Sequence, residues 1–434
     1  MSNWLVAQST EETKENAKPT IDLNPEFSYK MLDPNQDLRK LNILMEERKN
    51  GALQNKSLTI GASLISIMDL QSSNTDSKFG YLMRHPTSNN QIGTVVSEAV
   101  IHSFQVSFTG TVNNWITAYA EMLYSPEQSF GAGTITTLTR NLFQLRKGYI
   151  ALGDLNKSPI YGAIGKMDAP FGDMGTVSPF TNSTTWHAFA GLGYGARVGF
   201  KKWNVDASVM AVQGGAQFRA LNTPVGDSTN VPSQVNNFVA DLNYTIIPNE
   251  DIKIKIGASY VHGTAYCQDF PVTHFTSCGN NNPAYTVYGS VTINKLLKLR
   301  GGFSKTMKFW PGTQSPFPPL DVFEASKVSS LNIGAKYTLT PEAKTPLTLS
   351  AEFSNFVAGP EGAPWQHQDQ IVLGGYCMIN KSSKLFVELF NTKGYSPLNF
   401  ISGSAPFAPF PPGETHSNNN ANSVGIVIGG QLTL

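Results

Sequence analysis

The sequence predicts an all-β fold, a transmembrane antiparallel β-barrel of about sixteen strands with a short N-terminal helical segment. Three observations predict it. Apolar and polar residues alternate along many segments, short and long connections follow each other in turn, and only 15% of the 434 residues are charged. Soluble domains carry about 25% charged residues. Strands with one face in lipid and the other in water average to such a mildly polar composition.

The composition also excludes some classes of protein. No stretch stays apolar for the roughly 18 residues that a transmembrane helix needs. A net charge of +1 gives no reason to expect a nucleic-acid partner. The chain does not open with the basic and apolar regions of a signal peptide. An outer-membrane protein needs one, so we expect that it was removed or lies outside this sequence.

Residues 1–56 form a polar first segment without strand alternation. Within it, residues 36–50 follow Asp33-Pro34-Asn35 and end before Gly51, which is a typical helix stop. Three apolar residues of this stretch share one helical face: Leu38, Leu41 and Met45. We expect a flexible lead and one short amphipathic helix, which is periplasmic or plugs the pore.

Residues 57–434 form the predicted barrel, because period-two alternation begins near Leu58. The clearest strands fall at 100–108, 203–209, 238–246, 252–260 and 331–339. The last strand, 424–434, runs to the final residue and resembles the assembly signal of outer-membrane barrels. Leu434 stands where that signal usually has an aromatic residue.

Connection lengths predict the topology of the barrel. Short turns are predicted at 113–114, 153–158, 201–202, 247–251, 294–295, 340–345 and 380–383. Long connections are predicted at 71–98, 125–139, 168–182, 214–235, 263–283, 305–328, 358–368 and 392–422. Outer-membrane barrels have short periplasmic turns and long external loops. We therefore expect all eight long connections outside and both termini in the periplasm.

One predicted hairpin carries a family resemblance. Residues 147–172 comprise a strand, a turn with Ser158-Pro159, and a second strand that ends in Pro170-Phe171-Gly172. This hairpin resembles that of the LbtU-type siderophore porins, and the likeness extends in architecture from about residue 36 to the end. The resemblance implies uptake of ferric siderophores without the large plug domain of energy-coupled receptors.

Charged residues on the inward faces are the first candidate site. Assigning the apolar side of each strand to lipid turns thirteen charges inward: Glu121, Arg146, Lys166, Arg197, Asp206, Asp241, Lys253, Lys255, Lys298, Arg300, Lys336, Glu352 and Glu388. Basic residues are in excess, which favours anions in the pore. The basic candidates are Arg146, Lys166, Arg197, Lys298 and Arg300. The alternative is that these charges pair across the lumen and stiffen the wall.

Aromatic and proline-rich connections are the second candidate site. Phe309-Trp310-Pro311, 316–319 and 406–412 combine stiff backbone with large contact area. Trp310 could therefore line the pore mouth and contact a ligand. The alternative is a stiff external loop or an anchor at the membrane interface.

The three cysteines suggest an oxidising compartment. Cys267 and Cys278 fall in one connection, and Cys377 lies apart. A Cys267–Cys278 disulfide is favoured over a metal site with His262 and His274, because this spacing fits no standard zinc pattern. The sequence contains no Gly-x-Ser-x-Gly, His-Glu-x-x-His or phosphate-binding loop motif. We expect neither enzymatic activity nor a cofactor.

Together, these features predict a channel or receptor in a bacterial outer membrane, in contact with lipid and lipopolysaccharide. The expected cargo is a small anionic solute, most concretely a ferric siderophore. One alternative is a general or phosphate-type anion porin. Another is an adhesin or structural barrel that transports nothing.

Overall fold

A computed structural model describes residues 19–35, 37–81, 92–124, 143–213, 234–269, 280–398, 401–403 and 411–434. The first elements are β1 (Thr20–Leu23), α1 (Pro25–Leu32) and α2 (Lys40–Lys49). The sequence predicted one helix at 36–50, so α1 is an addition and α2 begins later than expected. The signal for α1 was Asn24-Pro25. The Asn24 side chain accepts a hydrogen bond from the Phe27 amide (3.0 Å), and Pro25 occupies the first turn.

Sixteen antiparallel strands of the described chain form one closed sheet. Each pairs with the next, and the last pairs with the first of the ring, β2. They are β2 (Ser57–Ser73), β3 (Val95–Thr111), β4 (Ile116–Tyr124), β5 (Gln144–Leu152), β6 (Ile160–Asp168), β7 (Leu192–Lys202), β8 (Val205–Val212), β9 (Asn237–Asn249), β10 (Ile252–Val261), β11 (Ala284–Ile293), β12 (Leu297–Thr306), β13 (Ser329–Thr338), β14 (Leu347–Val357), β15 (His367–Asn380), β16 (Ser383–Tyr395) and β17 (Asn418–Thr433). The predicted barrel and its strand number are confirmed.

The two faces of the sheet differ as the alternation predicted. Bulky apolar side chains such as Val198, Ile333 and Leu373 are exposed on the outside. Inward positions of the same strands carry Arg197, Asn332 and other polar residues, and these are buried. An outer apolar face around a polar interior is the arrangement that a bilayer requires of a barrel. Among the described helices, none is long and apolar enough to cross a membrane.

Seven short turns lie at one end of the barrel. Trp203-Asn204 and Asn294-Lys295 all have positive φ, as in the two-residue turns of tight hairpins. The first of these turns was predicted two residues earlier. Arg48 of α2 donates a hydrogen bond to the Asn113 carbonyl in another short turn (2.6 Å). The N-terminal helices therefore lie at the short-turn end, which faces the periplasm in outer-membrane barrels.

The long connection between β6 and β7 does not lie outside. Residues 169–191, which include α3 (Thr184–Phe189), fold into the barrel and are called the inward loop here. The expectation that all eight long connections are external is therefore wrong for this one. Its backbone amides find acceptors on the inward faces of β14 and β16, which compensates for leaving water. Three short 3₁₀ helices complete the described elements: Ala265–Cys267, Pro311–Thr313 and Leu320–Val322.

Candidate functional site in the lumen

Two buried carboxylates hold the inward loop against the barrel wall. Glu388 of β16 accepts hydrogen bonds from the backbone amides of Phe180 (2.8 Å) and Thr181 (3.1 Å). Glu352 of β14 accepts from the Val177 amide (2.9 Å) and the Thr176 hydroxyl (2.7 Å). Hydrogen bonds to a charged acceptor are stronger than neutral ones. These two side chains therefore fix the middle of the loop in the lumen.

The start of the inward loop is fixed on the other side. Its first residues include Pro170-Phe171-Gly172, the motif that carries the family resemblance, and Phe171 is buried. Gly172 has a φ of +70° and donates its amide to the Ser259 hydroxyl of β10 (2.9 Å). Arg300 of β12 forms an ion pair with Asp173 (2.7 Å). The loop thus extends from β6 across to β10, β12, β14 and β16.

Residues 24–50, called the plug segment here, enter the lumen from the periplasmic end. On one side, Lys384 of β16 pairs with Asp33 (3.3 Å), and Gln105 of β3 donates to the Leu32 carbonyl (3.2 Å). Leu41, Leu44 and Met45 are buried in the same apolar cluster as tyrosines of β4 and β5. All three residues of the helical face predicted from the sequence, Leu38, Leu41 and Met45, therefore pack in or against this cluster.

The plug segment also reaches the opposite wall. Arg39 pairs with Asp241 of β9 (3.0 Å), and Asn42 donates to Asp206 of β8 (2.6 Å). In the closed ring, β8 and β9 lie across from β16, which holds Asp33. The stretch from Asp33 to Asn42 therefore spans the lumen.

Inside the barrel, the plug segment and the inward loop contact each other. The Thr176 amide donates to the Asn35 carbonyl (3.0 Å), and the Asn35 side chain donates to the Phe180 carbonyl. Arg39 donates to the Gly172 carbonyl (3.0 Å). Neighbouring inward side chains are almost inaccessible to water; for example, Arg300 is 5% exposed. The lumen is therefore filled at this level.

Two ionisable groups of the plug segment respond to this burial. Burial would raise the pKa of Asp33, but the ammonium groups of Lys384 and Lys40 hold that pKa below its usual value. Burial lowers the pKa of Lys40 to about 8, and the nearby charge of Lys147 acts in the same direction. The Lys40 ammonium donates to the carbonyls of Lys30 (2.6 Å) and Asp33 (2.7 Å). Its charge is thus held by backbone oxygens inside the barrel.

A cavity of about 880 Å³ lies between the plug segment and the periplasmic ends of β8 to β10. Its lining contains eight basic side chains and five carboxylates. Four of those carboxylates already form ion pairs: Asp33, Glu46, Glu47 and Asp206. Four lining lysines, Lys49, Lys157, Lys202 and Lys253, form no ion pair within the described part of the chain. The cavity therefore carries an excess of positive charge.

The predicted basic site residues do not form one cluster. Arg146 pairs with Glu121 (3.2 Å), and Arg300 pairs with the inward loop. Arg197 is buried and donates to the Asn42 side chain (3.1 Å). Lys298 lies on the inward face of β12, half-buried, without an ion pair among the described residues. The contacts of Arg146 and Arg300 therefore agree with the alternative raised from the sequence, in which charged side chains of the lumen form ion pairs.

Lys166 lies on the other face of the sheet. It shares its side of β6 with Ile164, and it pairs in register with Tyr194 of β7. Both neighbours are exposed on the outer surface. The Lys166 ammonium lies 5.4 Å from the centre of the Tyr194 ring. The inward assignment of Lys166 is therefore wrong; a lysine near a strand end can reach the polar rim from the outer face.

Trp310 is buried within the external connections. It is 0% exposed, packs edge-to-face on Tyr266 and donates its indole N–H to the Gln268 carbonyl (2.7 Å). A ligand in the pore mouth would not touch it. The second proline-rich run, 406–412, lies largely outside the described residues. Cys267 is disulfide-bonded and Cys377 of β15 is free, whereas Cys278 and His274 lie outside the described residues.

Strict alternation missed three residues of the lumen. Lys147 points inward and pairs with Asp168 (2.9 Å), because a β-bulge opposite Glu121 shifts the register of β5. Lys384 follows the alternation of β16 and lies on its buried, inward face. Arg39 had no strand pattern to reveal it. No group of three or more His, Cys, Asp and Glu residues in the described ranges could hold a metal ion.

Comparisons with known proteins give the fold. No protein-family model matches the sequence, and a comparison with curated proteins gives no significant match. An anion-selective porin from Comamonas acidovorans is similar in structure, with 12% identity, coverage of 87% of this chain and 99% of its own, and a TM-score of 0.51. OprB from Pseudomonas putida is similar at 9% identity, with 86% and 94% coverage and a TM-score of 0.50. The chain therefore has the fold of Gram-negative outer-membrane porins and belongs in that membrane.

Proposed function

We propose that this chain is a porin-type channel for small anionic solutes, opened and closed by its plug segment. The basic cavity at the periplasmic end is the observation that carries the proposal. Lysines without acidic partners, within low-dielectric walls, concentrate anions. Lys49, Lys157 and Lys253 are spread around this cavity and are available to a solute. The similarity in fold to an anion-selective porin is consistent with this reading.

Passage requires the plug segment to move, because it spans the lumen beside the inward loop. Its wall contacts include hydrogen bonds and ion pairs, which water and salt can replace. The pairs Lys201–Glu46 (2.6 Å) and Lys381–Glu26 (3.1 Å) lie at its accessible edge. The channel is thus closed in the state described here and conducts when these contacts are exchanged for water.

A ferric polycarboxylate siderophore is the proposed cargo within this class. The resemblance of residues 147–172 to the LbtU-type porins supports it. Pockets that enclose organic ligands of this size span about 300–1,000 Å³, and the periplasmic cavity of about 880 Å³ lies within that range. Such a ligand carries several carboxylates. Several separated lysines can pair with them better than a single deep anion site can.

The filled lumen favours a second candidate, a structural barrel that transports nothing. A general or phosphate-type anion porin would use the same cavity but would not discriminate among anions. Bilayer conductance separates these functions. The proposed channel shows discrete openings, and its reversal potential in a salt gradient indicates selectivity for anions. A ferric carboxylate siderophore reduces the current more than phosphate does. A silent barrel under all salt conditions would support the structural alternative, and equal block by both anions would support the general porin.

Uptake provides the complementary test in cells. A strain that lacks this protein should lose growth on a ferric polycarboxylate siderophore as sole iron source. The full chain supplied in trans should restore it. One contrary outcome is unchanged growth on every siderophore tested, while the protein still forms open, anion-selective channels. That result would support the channel function and contradict the siderophore as its cargo.

A further inference from the structure

A small cavity of about 40 Å³ lies where the plug segment, the inward loop and the barrel wall meet. Four of its lining side chains are basic: Arg39 and Lys40 of the plug segment, Arg146 of β5 and Arg197 of β7. Asp168 is the one carboxylate among the described lining residues, and its charge is already paired with a lysine of β5 (2.9 Å). The cavity therefore has an excess of positive charge around it.

The charge of Arg197 has no carboxylate to balance it within the part of the chain that the structure describes. Arg39 and Arg146 form ion pairs with carboxylates of the wall, and the Lys40 ammonium donates to backbone carbonyls. Arg197 is 3% exposed, and its guanidinium donates to the Asn42 side chain, a neutral amide. A buried charge is costly unless it is paired. Arg197 therefore calls for an anion beside it.

Three hydrogen-bond donors of the cavity lining have no acceptor in the described protein. They are Nε of Arg39, Nε of Arg197 and the hydroxyl of Tyr149, and all three atoms are shielded from water. Tyr149 as a whole is 4% exposed. A guanidinium N–H can only donate, and buried polar groups are nearly always satisfied in native proteins. These donors therefore need an acceptor that is not a protein group.

We propose that this cavity binds a small inorganic anion, with chloride as the best fit, between Arg39, Arg197 and Tyr149. A buried water needs about 10–15 Å³ of such space, so a cavity of about 40 Å³ holds a small anion and excludes an organic solute. Water could accept the hydrogen bonds but would leave the charge of Arg197 unbalanced. The anion joins the plug segment to β5 and β7, and the site does not depend on the proposed transport.

Bromide, which replaces chloride and scatters anomalously, tests the proposal directly. Crystals of the full chain grown in sodium bromide should show an anomalous peak within hydrogen-bond distance of Arg197 Nε and the Tyr149 hydroxyl. In detergent solution, replacing the large anion gluconate with chloride at constant ionic strength should raise the thermal midpoint in a saturable way. Tyr149→Phe should raise the half-saturating chloride concentration by about tenfold or more, because it removes a hydrogen bond to a charged group.

The matched control is Tyr119→Phe, the same change on the neighbouring strand. The two tyrosine rings lie 5.3 Å apart, but the Tyr119 hydroxyl donates to Glu121 (3.1 Å). The control should keep the half-saturating chloride concentration of the wild type. If Tyr149→Phe fails to fold, Arg197→Gln decides, and its crystals should lack the bromide peak. No anomalous peak in the wild-type cavity would mean that it holds only water, which overturns the proposal. An equal chloride response in Tyr149→Phe and the wild type would place the anion elsewhere and also overturns it.

Discussion

Arg39 and Asp241 form a buried ion pair between the plug segment and the barrel wall, with Nη1 and Oδ2 3.0 Å apart. Burial lowers the pKa of the arginine, but Asp241, Tyr288 and Asp173 together raise it by more. The pKa therefore lies above its usual value, and the charge is retained. The same guanidinium donates to the Gly172 carbonyl of the inward loop. One side chain therefore joins three parts of the molecule: the plug segment, β9 and the loop.

Arg39→Gln should open the channel more often. Removing one partner of a buried ion pair costs about 3–5 kcal/mol, because the other charge is left uncompensated. Here the cost falls on the seated state of the plug segment, since Asp241 faces water once the segment leaves. Single-channel recording should show a higher open probability than in the wild type, with the same conductance per opening.

The matched control is Lys381→Gln, which breaks the exposed pair with Glu26. The Lys381 side chain is 84% exposed, and such surface pairs contribute about 0–1 kcal/mol. Its open probability should stay close to that of the wild type. Equal gating in Arg39→Gln and Lys381→Gln would mean that the buried pair does not hold the segment in place.

Charge selectivity should depend on the unpaired lysines of the cavity. The double variant Lys49→Gln, Lys253→Gln removes two charges that form no ion pair with any acid that the structure describes. We expect its reversal potential in a salt gradient to shift in the direction that indicates weaker selectivity for anions over cations. Arg146→Gln should shift it less, because Glu121 already neutralises that arginine and Lys147 remains near the same carboxylate. A larger shift in Arg146→Gln would support Arg146 as a selectivity residue, as predicted from the sequence.

Alkaline pH should stabilise the folded chain through Lys40. Its pKa is lowered by burial from 10.5 to about 8. Below about 8 the folded and unfolded chains both carry this proton, and the cost of the buried charge is fully present. As the pH rises from about 8 toward 10.5, the folded chain loses the proton first, so the contribution of Lys40 to stability increases. Thermal midpoints across this window should rise more in the wild type than in Lys40→Met. Parallel curves would contradict a depressed pKa.

The cysteines give a covalent prediction. We expect a Cys267–Cys278 disulfide that closes an external loop. A loop with about ten interior residues is worth roughly 2–3 kcal/mol in the chain-entropy account. Peptide mass mapping of the non-reduced protein should show these two cysteines linked and Cys377 alkylated. A linked peptide that contains Cys377 would contradict its position on β15.

Local patterns predicted the barrel because strand alternation and turn chemistry are local properties. The turn at Asn294-Lys295 and the outward face of β13 were readable within about ten residues of sequence. The filling of the lumen was not readable in this way. Glu388 accepts from Thr181 across 207 positions of the chain, and Glu352 accepts from Val177 across 175. A connection of ordinary loop composition gives no sign that distant carboxylates will draw it inward.

Single residues show the same limit at a smaller scale. The outward position of Lys166 follows from simple parity with Ile164 and was misassigned. Lys147 could not be assigned by parity, because the bulge that turns it inward depends on how β5 pairs with β4. Tyr149 and Arg197 are visible as separate residues in the sequence, yet only the folded barrel brings them to one cavity. Candidate sites built from side chains of several strands thus require the tertiary structure, which sequence alternation does not supply.

The parallel pairing of β1 with the start of β2 has a mechanical consequence. Thr20 lies opposite Ser57, so the chain between them is a loop with both ends fastened to the same strand. The terminal Leu434 donates its amide to Ala62 just beyond this ladder, which places β1 in line with the end of β17. A force that pulls on the chain before Thr20 therefore acts along the strands on the hydrogen bonds between β1 and β2. It does not draw residues 24–50 out of the barrel. Residues 24–50 can leave the lumen only while both of their ends stay attached to β2. When they return, these attachments direct them to the same end of the barrel.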